Sequence, residues 1–148
     1  MTNATDTTDT TETTETTETT DAADTAADLT ATVDTYLAMW NETDPVRRAE
    51  LIRTAWAETG HYADPLLEAK GHDGLAEMVA GFQVQYPGFR FRRTSAVDTH
   101  HELARFGWEL FGPDGAVLIG GIDVAAIAAD GRIARIVGFF GDLPAIAA

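Results

Sequence analysis

Three side chains in the sequence combine acid–base chemistry with apolar surroundings. Asp123 interrupts LIGGIDVAAIAA, residues 118–129, a run otherwise made of small and aliphatic residues. Burying a carboxylate is costly unless it is paired, hydrogen-bonded or kept protonated. Asp123 therefore reads in two ways. It is a desolvated acid, neutral at pH 7 and able to donate a hydrogen bond, or a structural carboxylate satisfied by backbone amides at a strand irregularity. Asp64, in YADP, either initiates a turn, as Asp before Pro does, or serves as a general base at the mouth of a concavity. Two carboxylates in unequally polar settings acquire different pKa values, which separates acid from base roles. Tyr36 lies on an apolar helical stripe beside Leu37 and one turn before Trp40. It is a core tyrosine, or a buried hydroxyl whose partner is a protonated Asp123.

These groups need elements to position them, and the hydrophobic pattern supplies candidates. Leu29, Val33, Tyr36, Leu37 and Trp40 recur at helical spacing and predict an amphipathic helix over about residues 29–42. In TDPVRRAELIRTAWAETG, Asp44 suits the N-cap, Pro45 the first helical position and Gly60 the stop. Val46, Ala49, Ile52 and Trp56 form the expected buried stripe of this second helix. HYADP predicts a short strand running into a loop. Leu75, Met78, Val79 and Phe82 mark a third helix that ends before Pro87. Strands are then expected near 89–97, 100–111, 117–128 and 132–140, separated by DTH, GPDG and ADGR. This order describes an α+β fold: three N-terminal helices packed on one face of a curved antiparallel sheet.

Hairpin geometry assigns faces. A two-residue Asp130-Gly131 turn pairs 129 with 132, 125 with 136, 123 with 138 and 121 with 140. Cross-strand partners share a face. Asp123 thus shares its face with Ile119, Ala125, Ile127, Ala134, Ile136 and Phe140. Pairing Phe111 with Ala116 across GPDG adds Ala104, Phe106, Trp108 and Leu110, and sends Arg105 and Glu109 outward with Arg135. A one-residue slip or bulge reverses that assignment. The outward face carries Ile122, Val124, Val137 and Phe139, an apolar set that suits a homodimer interface.

Composition narrows the function classes. The first 30 residues hold eight acids, no base and no aromatic residue, in a TTE-rich, low-complexity run. Such a segment buries too little apolar surface to order itself, so residues 1–28 are expected to be a disordered acidic tail before a domain over 29–148. Without those eight acids the net charge falls from −14 to −6, still acidic, which argues against nucleic acid as a partner. The absence of Cys excludes disulfides, thiolate catalysis and Cys-ligated metals. No signal peptide or membrane span is evident, and a cytoplasmic location is expected. His61, His72, His100 and His101 show no helical i, i+4 pair with a third ligand, so no metal is expected. His100 is placed at the rim of the concavity.

The order of elements, together with YLAMWN, YADP and GGIDVAAIAADGRIARIVGFFGD, resembles the nuclear-transport-factor-2-like (NTF2-like) superfamily over about residues 28–144. The branch is similar to SnoaL-like polyketide cyclases and bacterial ketosteroid isomerases. The resemblance implies a cone-shaped fold and cofactor-independent proton transfer on a small apolar carbonyl compound. It implies Asp64 as the proton-shuttling base, with Tyr36 and a protonated Asp123 donating hydrogen bonds to an enolate oxygen. Phe140 becomes a pocket wall, joined by Trp40, Phe106 and Trp108 as substrate-contacting aromatics. The chain departs from the isomerase pattern in three places: Gly121 replaces a strand proline, the segment between Tyr36 and Asp64 is longer, and YPGFRFRRTSAVDTHHELARFGWEL carries His100, His101 and Trp108. The superfamily also holds non-catalytic binding and dimerisation domains, the rival expectation. Epoxide or ester hydrolysis would need an Asp-Arg-Asp cluster, and the register sends Arg105 outward.

Overall fold

The computed structural model describes residues 11–147, with side chains from Thr25 onward. Helix α1 spans Thr11–Asn41, so it begins well before the expected start near Leu29. Thr30, Thr32 and Thr35 return their hydroxyls to the carbonyls four residues earlier, which lets threonine sit on a helix surface. Residues 1–10 of the expected tail lie outside the described residues. Helix α2 spans Pro45–Ala55. Asp44 caps it as anticipated, its Oδ1 accepting from Val46 N–H at 2.9 Å.

The chain leaves α2 five residues earlier than Gly60. Trp56 starts strand β1, Trp56–Ala63, instead of completing the helical stripe. The stripe needs a second correction: Val46 is exposed, and Arg48 is buried in its place. Burial of Arg48 is compensated by Glu42 O at 3.0 Å and Gln83 Oε1 at 2.6 Å. A short β2, Glu68–Lys70, precedes α3, Gly71–Gln85. The remaining strands are β3 (Arg90–Arg93), β4 (Asp98–His100), β5 (Leu103–Phe111), β6 (Val117–Ile127) and β7 (Ile133–Phe140). The expected 89–97 strand is thus much shorter. The expected 100–111 strand is cut by a turn at His101, whose φ is +52°.

The strands form one curved sheet in the order β2-β1-β7-β6-β5-β3, with β4 also pairing β5. It is mixed, because β1 joins β7 in parallel. Both long hairpins depart from the anticipated register by the same device. Ala128, not Ala129, bonds Arg132, so the β6–β7 loop is one residue longer than a two-residue turn. An irregularity between Ala126 and Ile127 cancels the slip, and Asp123 pairs with Gly138 as expected. Ile133 goes inward where Ala134 was anticipated. In the β5–β6 hairpin the pairing is Phe106 with Asp123, two residues away from the expected register. A two-residue shift preserves the face, so Ala104, Phe106, Trp108 and Leu110 are all buried.

The core lies between helices and sheet, with Val33, Tyr36, Trp56, Leu75, Val79, Phe106 and Ile136 fully enclosed. Among the described residues, no helix is long and apolar enough to cross a membrane.

Candidate functional site

Between α1, α3 and the inner face of the sheet lies a cavity of about 770 Å³. Its wall is aromatic and continuous. Trp40 packs against Tyr62, Phe82 and Phe91 at ring separations of 5.6, 5.4 and 5.1 Å, Phe91 reaches Trp108 at 5.6 Å, and Trp108 reaches Phe140 at 5.8 Å. Such edge and tilted contacts add to the area buried by the rings themselves.

Tyr36, Asp64 and Asp123 all face this cavity. Asp123 is 4 % exposed and accepts two hydrogen bonds from neutral donors: Tyr36 Oη–H to Oδ2 at 3.3 Å and Trp108 Nε1–H to Oδ1 at 3.0 Å. Burial pushes its carboxyl up to about 7; the bonds from Trp108 and Tyr36 pull it down, and the charge of Asp64 raises it. Neutral and ionised forms are therefore comparably populated near pH 7. The hydroxyl of Tyr36 is itself pushed well above the usual tyrosine range, first by burial and then by Asp123.

Asp64, at the end of β1, is only partly buried. Its Oδ1 accepts from the backbone N–H groups of Leu66 and Leu67, both at 2.7 Å, and its Oδ2 accepts from Tyr62 Oη–H at 2.5 Å. The two readings of Asp64 are thus compatible: it organises the turn and faces the cavity from there. Tyr62 was not singled out by the sequence reading, although its spacing of two residues from Asp64 on a strand puts both side chains on one face.

Two glycines make the arrangement possible. A Cβ at Gly138 would lie 2.9 Å from Asp123 Oδ1 and 3.3 Å from Asp64 Cβ, so both carboxylate side chains crowd against this one position. A Cβ at Gly121 would lie 2.6 Å from the Trp108 ring and 2.1 Å from Phe139 O. Two of the departures from the isomerase pattern are therefore linked: Gly121 clears the space in which Trp108 lies beside Asp123. The sequence reading placed Trp108 in the wall but did not foresee its bond to the carboxylate.

Trp40, Trp108 and Phe140 line the cavity as expected of substrate-contacting residues. Phe106 does not; it is 2 % exposed and supports Tyr36 from behind, edge-on at 6.4 Å. His100 is also misplaced by the sequence reading. It ends β4 on an exposed edge, 3.0 Å from His101 Nδ1 and away from the cavity, because the turn at His101 reverses the chain there. Arg105 points outward to Asp98 at 2.8 Å, so no Asp-Arg-Asp cluster forms.

The comparisons with known proteins agree with this geometry. The profile of the SnoaL-like domain matches residues 33–136. A SnoaL-like family protein from Agrobacterium tumefaciens, provisionally named an isomerase, is 40% identical and superposes with a TM-score of 0.75, over 78% of this chain and 99% of that one. An NTF2-like protein from Exiguobacterium superposes at 0.61 with 19% identity, over 76% of this chain and 99% of that one. A protein from Sinorhizobium meliloti, provisionally named a polyketide cyclase, superposes at 0.60 with 15% identity, over 76% and 97% of the two chains. At these lower identities the likeness is one of fold. No curated protein matches the sequence. With most of its domain covered by the family profile and a relative at 40% identity, the chain belongs to the SnoaL-like family.

Proposed function

We propose that the cavity catalyses proton transfer on a small, largely apolar carbonyl compound, without a cofactor. The observation that supports this most directly is the buried Asp123, titrating near neutrality and hydrogen-bonded to Tyr36 inside an aromatic cavity that also presents Asp64. Asp64 takes a proton from the carbon next to the carbonyl, and the electron pair moves onto the carbonyl oxygen. Tyr36 and protonated Asp123 donate hydrogen bonds to that oxygen as its negative charge develops. Return of the proton from Asp64 to a different carbon completes an isomerisation. Attack of the enolate carbon on a second carbonyl of the same molecule, with the proton on Asp64 passing to the alkoxide that forms there, completes an aldol cyclisation.

The test is hydrogen exchange. A panel of flat cyclic ketones in deuterated buffer is followed by NMR for enzyme-dependent loss of the protons next to the carbonyl. Wild type is expected to exchange at least one of them. Asp64→Ala is expected to slow that exchange by about 10³-fold, within the span of general-base effects, with an unchanged circular dichroism spectrum. Exchange by the variant at the wild-type rate overturns the role of Asp64.

One observation favours a second, compatible assignment. Ile122, Val124 and Phe139 are exposed together on the outer sheet face, at 48, 36 and 61 %. Contiguous exposed apolar surface of this kind marks interaction sites, and we assign it to a homodimer. Phe139→Lys is expected to lower the mass measured by light scattering to that of one chain.

A further inference from the structure

The proposed reaction leaves open what kind of carbonyl compound the cavity admits, and the charges of its lining bear on that. Three carboxylates face the cavity: Asp123 at the floor, Asp64 at the wall and Glu77, exposed, on α3. Among the described residues that line it there is no Lys, Arg or His. The cationic side chains that make ion pairs or hydrogen bonds do so elsewhere. Arg93 holds Asp34 at 2.9 Å, Arg105 holds Asp98 at 2.8 Å and Arg132 holds Asp130 at 2.9 Å. His61 is bonded to Glu68 and His72 to Trp56 O, each at 2.7 Å.

An anionic ligand entering this cavity meets like charge in a low-dielectric, aromatic setting. It finds no guanidinium or ammonium to replace the water it loses. Unpaired charge buried that way is strongly disfavoured, and like-charge juxtaposition across a contact costs several kcal/mol. The chain's net charge of −14 adds long-range repulsion of the same sign.

We infer that the cavity is a charge filter: with Asp123 ionised it accepts neutral or cationic aromatic-sized ligands and rejects carboxylates of the same shape. This rests on the proton-transfer reading only for the location of the site. Its consequence is chemical. A substrate that carries a free acid cannot be the one turned over here, and a basic group at the outer end of the ligand gains from Glu77.

The test uses three probes of one size on the full chain: 2-acetylnaphthalene, 2-naphthoate and 2-(aminomethyl)naphthalene. Binding is measured by calorimetry at pH 8 and low salt. The ketone and the amine are expected to bind, the amine at least as tightly, and the naphthoate at least tenfold more weakly than the ketone. In Glu77→Gln the advantage of the amine over the ketone is expected to shrink by about threefold. Naphthoate bound as tightly as the ketone overturns the filter, and so does failure of both ketone and amine to bind. The outcomes separate from those of the exchange assay. A ketone that binds without exchanging its protons removes the proton-transfer reading and leaves the filter standing, whereas equal binding of naphthoate removes the filter alone.

Discussion

The two carboxylates of the cavity make an instructive pair, because they share one neighbour and little else. Both press against Gly138. Asp64 stands at a strand end, partly exposed, with two backbone amides and Tyr62 directed at its oxygens. Asp123 stands in the middle of a central strand, nearly inaccessible, with two side-chain donors and no backbone amide among its bonds. Desolvation is the largest influence on Asp123 and outweighs both hydrogen bonds that favour its charged form.

The largest effect that could break this comparison is on stability. A carboxyl whose folded pKa lies above its unfolded one binds its proton more tightly in the folded state. Its contribution is full below about pH 4 and is lost as pH rises through about 7. Each pKa unit corresponds to about 1.4 kcal/mol. The stability of wild type relative to Asp123→Asn is therefore expected to fall by about 4 kcal/mol between pH 4 and pH 8, measured by urea unfolding at each pH. A flat difference would mean that Asp123 ionises like an exposed acid.

A smaller effect sharpens the comparison by removing one donor. The Trp108 bond holds the Asp123 carboxyl down, so Trp108→Phe is expected to move its titration above 7. The same change is expected to cost about 1–3 kcal/mol, since it deletes a buried hydrogen bond to a group that remains. The ¹³C shift of the labelled carboxyl against pH reads the first effect directly, and an unmoved midpoint would remove Trp108 from the account. The smallest effect comes from the other buried tryptophan beside Tyr36. Trp56 stacks on Tyr36 at 5.8 Å, yet its Nε1–H has no partner among the described residues. Relief of that orphan donor offsets lost packing in Trp56→Phe, for which a cost under about 1 kcal/mol is expected in the same unfolding assay. A cost equal to that of Trp108→Phe would show that the bond from Trp108 to Asp123 adds nothing to stability.

Much of the fold was legible because its signals are local or periodic. Asp44-Pro45 marked the start of α2, and alternation along β5 and β6 placed Phe106, Trp108 and Asp123 on one face. That face survived although both turns were misjudged. Each loop departs from the expected turn by one residue, and a bulge beside it restores the parity that buries the apolar set. A half-buried sheet tolerates a shift of two residues far better than a shift of one. The end of α2 was misread because Trp56 continues a helical stripe in sequence while pairing with Ile133 in space. His100 was misjudged for a related reason, since nothing in DTHHE signals that His101 adopts a positive φ and turns the strand away from the cavity.

By itself the sequence determined which groups were available for chemistry. It supplied one carboxylate in an apolar strand, one before a proline, a tyrosine on a helix stripe and an acidic body without Cys. Only the tertiary structure decided their company. Trp108 reaches Asp123 because Gly121, on the neighbouring strand, leaves room for an indole. Among the described residues the cavity lining holds no cationic side chain, and the arginines that form ion pairs meet acids outside it. Each of these depends on contacts between residues far apart or reoriented in the chain, whose energies exist only once the sheet has closed over the helices.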